Sequence, residues 1–319
     1  MPKDLKIYRG YANQRKILIM GHVFEKHTPD IFKLDLKGWK HAKQVFQMFR
    51  VKTLANISIT ISFGNIKQTT KTLDDGHFRV MIPYEKSLSS GWHTFKVTVN
   101  DEKQTLSKKG EFIKPYPGEY GVISDIDDTF LISHSSSFFK KLYVMLTKNL
   151  YKRKVFTGVV NHYRELEKLG REDQNKHNAF FYVSSSEWNL YNFISSFTDL
   201  HGLPKGVFQL KAIKNGLRDF IKTGRGDHQH KFYKIRHIVE FYPELKFVLL
   251  GDDSQKDAQI YQDIIKIFPA NIYAVYIRQT NQNKKENIEK IIGNMSNLGV
   301  CALYFKSSKE AVEHSQNRL

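Results

Sequence analysis

Residues 121–130 read GVISDIDDTF, an apolar run followed at once by Asp125, Asp127 and Asp128. Carboxylates crowded behind a buried strand repel one another and lose hydration, so they persist where something cationic or something reactive meets them. Two other apolar runs end the same way: Ser184, Ser185 and Ser186 follow AFFYV, and GDDSQKD, with Asp252, Asp253 and Asp257, follows KFVLL. Phosphoryl transfer suits this set. A carboxylate at Asp125 can attack phosphorus and form an aspartyl phosphate when a divalent cation screens the repulsion between two anions. Mg2+ fits that part, because it takes oxygen ligands, keeps several waters and bridges phosphate to one or two carboxylates. Asp125 and Asp127 offer it ligands from one strand end, and Asp252, with Asp253 or Asp257 behind it, from another. Asp127 can also protonate the leaving oxygen and later take a proton from the hydrolytic water. Ser184 would donate to a phosphoryl oxygen, with Thr129, Ser185 and Ser186 as further phosphate contacts. Lys231, which opens KFYKIRHIVEF, would offset the gathering negative charge.

Each residue has a plainer alternative. Ser184 to Glu187 spells a capping box for a helix over WNLYNF, and Asp128 reads as a loop or N-cap carboxylate. Lys231 also reads as a solvated lysine on a first helical turn, with Lys234 the nearest substitute. His228 and His230 read as solvent-facing loop histidines in preference to a metal pair.

For the three clusters to meet, their strands must lie side by side. GVIS, AFFYV, GVFQL, KFVLL and NIYAVYI are short buried-strand patterns, and WNLYNFISSF, KFYKIRHIVEFY and AQIYQDIIKIF between them carry apolar residues at three- and four-residue steps. That alternation predicts an α/β fold, a parallel sheet with helices on both faces and right-handed crossovers. Its reactive rim is where the strands end. KKENIEKIIGNM and VCALYF predict one more helix and strand.

The first third differs. ANISITISF alternates Ile57, Ile59, Ile61 and Phe63, HTFKVTVN alternates Phe95, Val97 and Val99, and KILIMGHVF and HFRVMIPY are further short runs. LDDGHF supplies an Asp-Gly turn, and one helix is expected around 40–50. The expectation is a small antiparallel β-sandwich, an accessory domain over 1–114. KPYPGEY, with Pro115, Pro117 and Gly118, marks the boundary to a catalytic domain over 115–319.

Composition narrows the partners. The 50 Lys and Arg against 32 Asp and Glu leave a formal +18, which bears on partners and not on fold. An anionic membrane surface, a phosphorylated substrate and nucleic acid all suit it, but no helix-turn-helix, zinc finger or RNA-binding sheet signature is present, so nucleic acid is not the expected partner. The single cysteine, Cys301, cannot form an intrachain disulfide, no apolar run approaches a membrane span, and MPKDLKIYRG lacks an apolar signal core. A cytoplasmic protein, able to sit peripherally on the inner membrane surface, is the expectation.

DIDDT, the strand-terminal Ser184, Lys231 and GDDSQKD resemble, in order and type, the four motifs of the haloacid dehalogenase superfamily. More narrowly, VSSSEWNLY, the His230-Lys231 pair and FVLLGDDSQKDAQIY are similar to the phosphatidate phosphatase domain of the yeast actin-patch type, which also occurs in bacterial proteins. The resemblance covers roughly residues 115–280, and RGYANQRKILIMGHVF resembles the region that precedes the domain in bacterial members. It implies a Rossmann-like, haloacid-dehalogenase-like fold and Mg2+-dependent hydrolysis of phosphatidate to diacylglycerol. Asp125 then takes the nucleophile's place, Asp127 that of the acid and base, Ser184 that of the phosphate-binding hydroxyl, Lys231 that of the motif lysine, and Asp252, with Asp253, that of the metal ligand. The chain departs from the family pattern at Glu187, where a proline is common, and near Ser254, where glycine is.

Residues 138–156, FFKKLYVMLTKNLYKRKVF, mix apolar side chains with Lys140, Lys141, Lys148, Lys152, Arg153 and Lys154 and contain no acid. Such a basic amphipathic stretch suits an anionic bilayer surface. As an insertion over about 134–156 it would act as a cap or lid, with Lys140 and Lys141 contacting substrate. The competing functions are a phosphatase of a soluble phosphomonoester or nucleic-acid end, and a lipid-binding module without turnover.

Overall fold

The computed structural model describes residues 2, 4–26, 51–85, 88–101, 104–126, 156–212 and 229–319. The helix expected around 40–50, the basic insertion up to residue 155, Asp127, Asp128, Thr129, Lys140, Lys141 and His228 lie outside the described residues. Contacts divide the chain into two compact units. One holds the described residues up to Pro115 together with Glu187–Ser196, and the other runs from Tyr116 to Ser186 and takes in Phe197–Lys211 and the described residues from Gln229 to Leu319.

The first unit is built on seven strands: β1 Asp4–Ala12, β2 Lys16–Phe24, β3 Ser58–Phe63, β4 Ile66–Lys71, β5 His77–Pro83, β6 Gly91–Asp101 and β7 Gln104–Lys114. They form one hydrogen-bonded order, β4-β3-β6-β7-β1-β2-β5. Alternation works as expected: Ile59, Ile61, Phe95, Val97 and Val99 are buried, and with Leu5, Ile17 and Ile19 they make one core cluster. Because that cluster draws on strands from both ends of the order, the sheet curls round its own apolar face. Pairing is antiparallel except between β1 and β7, which run parallel. Side-chain alternation is blind to strand direction, so the sequence did not distinguish that pair. The Asp-Gly turn forms, with Gly76 at φ 75° and its N–H donating to Leu73 O at 2.8 Å. It joins β4 and β5, the two outermost strands of the order. The Glu187–Ser196 segment brings Trp188 onto Tyr8, with ring centroids 3.9 Å apart and planes at 15°.

The second unit is α/β. Its strands are β8 Tyr120–Asp125, β9 Ala179–Glu187, β10 Gly206–Lys211, β11 Lys246–Asp252, β12 Ile272–Arg278 and β13 Cys301–Phe305. Helices α1 Val159–Lys168, α2 Tyr191–Leu200, of which this unit takes in only the part from Phe197, α3 Gln229–Phe241, α4 Asp257–Ile267, α5 Lys285–Asn297 and α6 Ser308–Arg318 lie between and after them in sequence. The order is β10-β9-β8-β11-β12-β13, and the pairings from β9 through β13 are parallel. Val122 and Ile123, Phe180 to Val183, Phe247 to Leu250 and Ala274 to Ile277 are all at most 2% exposed, so these strands are covered on both faces. Helices present apolar stripes to them; α4, for example, buries Ile260, Tyr261, Ile264 and Ile265.

The chain leaves central β8 for β9 and β10 on one side, then returns to β11 on the other. Neighbouring crossovers therefore diverge above the carboxyl ends of β8 and β11, and a crevice opens there. The tail adds α5 and β13 as expected, and then α6, whose start is fixed by a capping box of Ser307 and Glu310.

Candidate active site

β8 ends on Asp125 and β11 on Asp252, the two strands that flank the crevice. Asp257, the first residue of α4, reaches the same point. Carboxylate oxygens of Asp125, Asp252 and Asp257 lie within 4.8 Å of one another, and all three residues are at most 1% exposed. Gly251 makes this approach possible: a Cβ there would stand 2.9 Å from both Cβ and Oδ2 of Asp257 and 3.0 Å from the Tyr261 ring. Tyr261 in turn donates its hydroxyl to Leu250 O at 2.8 Å, tying α4 to β11.

Lys231, on the first turn of α3, points into this group. Its ammonium lies 2.9 Å from Asp125 Oδ1 and also pairs with Asp257, at 1% exposure. The solvated-lysine alternative therefore fails, and Lys234 is engaged elsewhere, donating to Gln209 O at 3.3 Å. Burial by itself would lower the Lys231 pKa, but the charges of Asp125 and Asp257 outweigh it and hold the ammonium above the usual lysine range. Asp252 is shifted the other way, upward, first by burial and then by the neighbouring charge of Asp257. Three carboxylates against one ammonium leave two formal negative charges among these four buried side chains. An all-oxygen donor set with excess negative charge fits a hard divalent cation.

Asp253 faces away from the three. Its carboxylate accepts from the N–H of Thr280 at 2.8 Å, from Asn281 N–H and from the Tyr304 hydroxyl at 2.7 Å. Consecutive side chains at a strand end point to opposite sides, so Asp252 and Asp253 cannot serve one point. The sequence left Asp253 and Asp257 as rivals beside Asp252, and Asp257 is the one in the cluster. The signal was present in its position five residues on, where a helix start returns to the strand end.

The serines lie on the same rim. Val183 is the register partner of Asp125 across β8 and β9, and Ser184 follows it, fully buried, with its Oγ accepting from Ser186 N–H at 2.9 Å. Ser185 donates to Gln255 Oε1 at 3.2 Å, so the serine run and the GDDSQKD loop touch. The capping box, the alternative reading of Ser184, is not formed. β9 continues through Glu187, which precedes a 3-10 turn at Trp188–Leu190 and makes no side-chain cap bond. Extended backbone carries Ser184 along the strand, where it cannot cap. His230 belongs to α3 and is half-buried, not on a loop. A hydroxyl that sequence reading passed over supports the end of β8: Ser124 Oγ lies 2.6 Å from the Tyr163 hydroxyl of α1.

Comparisons with known proteins bear on the same residues. The family described as "Phosphatidate phosphatase APP1, catalytic domain" matches residues 120–279. Phosphatidate phosphatase APP1 of Saccharomyces cerevisiae is 26% identical over 196 residues, 59% of this chain and 30% of that protein. An uncharacterized protein of Schizosaccharomyces pombe is 24% identical over 158 residues, 49% of this chain and 24% of that one. The chain thus spans under a third of the length of these relatives. A carbohydrate acetylesterase of Xanthomonas citri aligns with 91% of this chain and 73% of its own at 11% identity and a TM-score of 0.31, a level from which no shared fold follows. Since the family match covers half of the 319 residues and contains Asp125, Ser184, Lys231, Asp252 and Asp257, the chain belongs to the family of the phosphatidate phosphatase APP1 catalytic domain.

Proposed function

We propose that this protein is a Mg2+-dependent phosphatidate phosphatase, converting phosphatidate to diacylglycerol and phosphate through an aspartyl phosphate. The observation that carries the reading is the convergence of Asp125, Asp252 and Asp257 on Lys231 at the ends of β8 and β11. In this reading the α/β unit is haloacid-dehalogenase-like and spans 115–319, with 1–114 as an accessory, sandwich-like β domain.

Asp125 is the nucleophile. Lys231, held to its Oδ1 at 2.9 Å, fixes the carboxylate's rotamer and offsets the charge that gathers as phosphate arrives. One carboxylate oxygen bonds phosphorus as the ester P–O bond breaks, and the departing diacylglycerol oxygen takes a proton from Asp127. Water then attacks phosphorus, gives its proton to Asp127, and releases phosphate and free Asp125. Ser184 orients the phosphoryl group, with Ser185, Ser186 and Thr129 beside it. Asp125, Asp127, Asp252 and Asp257 would hold Mg2+, which when bound supplies Lewis-acid screening of the phosphate charge. Asp253, engaged with Thr280, Asn281 and Tyr304, braces the loop instead.

The substrate sits in a bilayer, and the acid-free basic stretch 138–156, with Lys140 and Lys141, is assigned the part that meets anionic lipid. Among the described residues no helix is long and apolar enough to cross a membrane. Peripheral attachment from the cytoplasm follows as the reading's localisation.

Phosphate release across phosphatidate in mixed micelles, sugar monoesters, nucleotide monoesters and a 3′-phosphorylated oligonucleotide, with Mg2+ and with chelator, tests this. Release from phosphatidate that needs Mg2+ is expected. Preference for a soluble ester would move the substrate assignment, and no release from any ester with Mg2+ present would end the reading.

A further inference from the structure

The loop that leaves Asp252 is tied down from the far side by the loop that leaves β12. Asp253 is fully buried, and its carboxylate accepts from Thr280 N–H at 2.8 Å, from the Thr280 hydroxyl, from Asn281 N–H at 3.1 Å and from the Tyr304 hydroxyl at 2.7 Å. Its own N–H donates to Arg278 O at 3.1 Å, so the ends of β11 and β12 stay together. Asn281 then caps the 3-10 turn Gln282–Lys284, its side chain accepting from Asn283 N–H at 3.0 Å. That turn brings Lys284 back to where it began. The half-buried ammonium donates to Asp253 O at 2.7 Å and to Ser254 O at 2.9 Å.

Carbonyls between a strand end and a helix start have neither a ladder nor a helical donor, so a side chain must serve them. Here the service reaches further. The peptide unit between Asp253 and Ser254 is planar, so its carbonyl and its N–H turn together. Lys284 grips the carbonyl, and the N–H, which belongs to Ser254, donates to Asp252 Oδ1. A cation on the carbonyl also polarises the amide and strengthens its N–H as a donor. One peptide plane thus joins Lys284 to the carboxylate of Asp252.

We propose that Lys284 is a positioning residue for the cation site: through the Asp253–Ser254 peptide it holds Asp252 in the orientation that binds a divalent ion, while Asp253 and Tyr304 anchor the turn that carries it. The inference rests on the reading of Asp125, Asp252 and Asp257 as a cation site and deepens it with residues past positions 120–279 matched by the family. Sign separates this role from plain electrostatics. An ammonium near a cation site repels the ion, so its removal, acting through charge alone, would tighten binding. Removal acting through Asp252 weakens it.

The test reads metal binding and needs no turnover. The full-length chain is titrated with Mn2+, a hard divalent ion suited to the same oxygen donors, and free Mn2+ is followed by its electron paramagnetic resonance signal. Asp252→Asn, which should remove the tight site, assigns that signal to the aspartate cluster. Lys284→Met is expected to weaken Mn2+ binding about tenfold, and Lys284→Arg, which keeps charge and donors, to restore it. Lys285→Met removes the same charge from an exposed neighbour that pairs with Glu289 at 3.5 Å, and should leave binding unchanged. Tyr304→Phe takes one donor from Asp253 and should weaken binding less; it carries the test if a thermal melt in chelator finds Lys284→Met unfolded. Unchanged or tighter Mn2+ binding in the variant that carries the test, or an equal loss in Lys285→Met, overturns the proposal and leaves the cation site standing. No Mn2+ binding by the unsubstituted chain removes both.

Discussion

The two sheets use their residues differently. In the sheet of β1 to β7 the information lies across the strands, with Ile59, Ile61, Val97 and Val99 inward and Thr60, Lys96 and Thr98 on the other face. In the sheet of β8 to β13 both faces are covered, and the information lies at the strand ends, where Asp125 and Asp252 close apolar runs. An antiparallel sheet has chain reversals at both ends, so neither end collects every polar terminus. A parallel sheet sends all its carboxyl ends one way, so chemistry accumulates at one rim. Substitutions in the first sheet should therefore change stability with little effect on rate, and those at the rim of the second should do the reverse or both.

The sharpest departure is expected at Asp125. Asp125→Asn should cut phosphate release about 10⁴-fold or more while the denaturant midpoint holds or rises, because one of three crowded buried carboxylates loses its charge. A variant with near-normal release would dissolve the contrast between rim and faces. Next comes Lys231→Met, which strands Asp125 and Asp257 without their shared ammonium and should cost about 3–5 kcal/mol in urea unfolding, along with activity. A mild loss would mean that the carboxylates take up protons instead.

Acid should act on both sheets alike. Burial, with the charge of Asp75 opposing and that of Arg79 adding, holds His77 down to about 4 in the first unit. Burial, then Arg278 and His314, holds His162 down to about 3 in the second. Above about pH 6.5 both folded and unfolded chains leave these rings neutral. As pH falls below that value, the unfolded chain binds protons that the folded chain refuses. Stability is thus full above pH 6.5 and lost on going down toward 4, with a slope of up to about 1.4 kcal/mol per pH unit for each ring. Urea midpoints between pH 7.5 and 4.5 read this, and His162→Phe should flatten the slope. The same slope in that variant would remove His162 from the account. A smaller effect, about 0.5–1.5 kcal/mol, is expected from Ile61→Val, in the core of the first sheet, with turnover unchanged. A clear rate loss there would show that the faces of that sheet reach the chemistry after all.

Much of the candidate site was legible because its parts are local. An apolar run that breaks into carboxylates or serines marks a strand end wherever it occurs, and Asp125, Ser184 and Asp252 were readable on that ground. Lys231 was readable as the opening of a helix-period segment, but whether its ammonium met water or a carboxylate was not. Sequence sets Asp253 beside Asp252 as a metal ligand, with Asp257 five residues from Asp252 only an alternative, because adjacency favours the nearer acid. The difference lies in direction and in the space that Gly251 leaves for the start of α4. The stretch Ser184 to Glu187 misled for a related reason: the capping pattern is real in type, but β9 stays extended through it. Ser307-Ser308-Lys309-Glu310 carries the same pattern and does cap a helix, α6.

By itself the sequence determined the α/β alternation of the second unit, the inward faces of most strands in the first, and the residue types suited to phosphoryl transfer, since each depends on neighbours within a few positions. Tertiary structure decided the order β10-β9-β8-β11-β12-β13, the parallel pairing of β1 with β7, the choice of Asp257 over Asp253, and the burial of Lys231 between two aspartates. Those depend on which distant segments share a sheet and how closely their backbones approach. Side-chain periodicity carries no record of either, because a strand shows the same alternation whichever strand it pairs with.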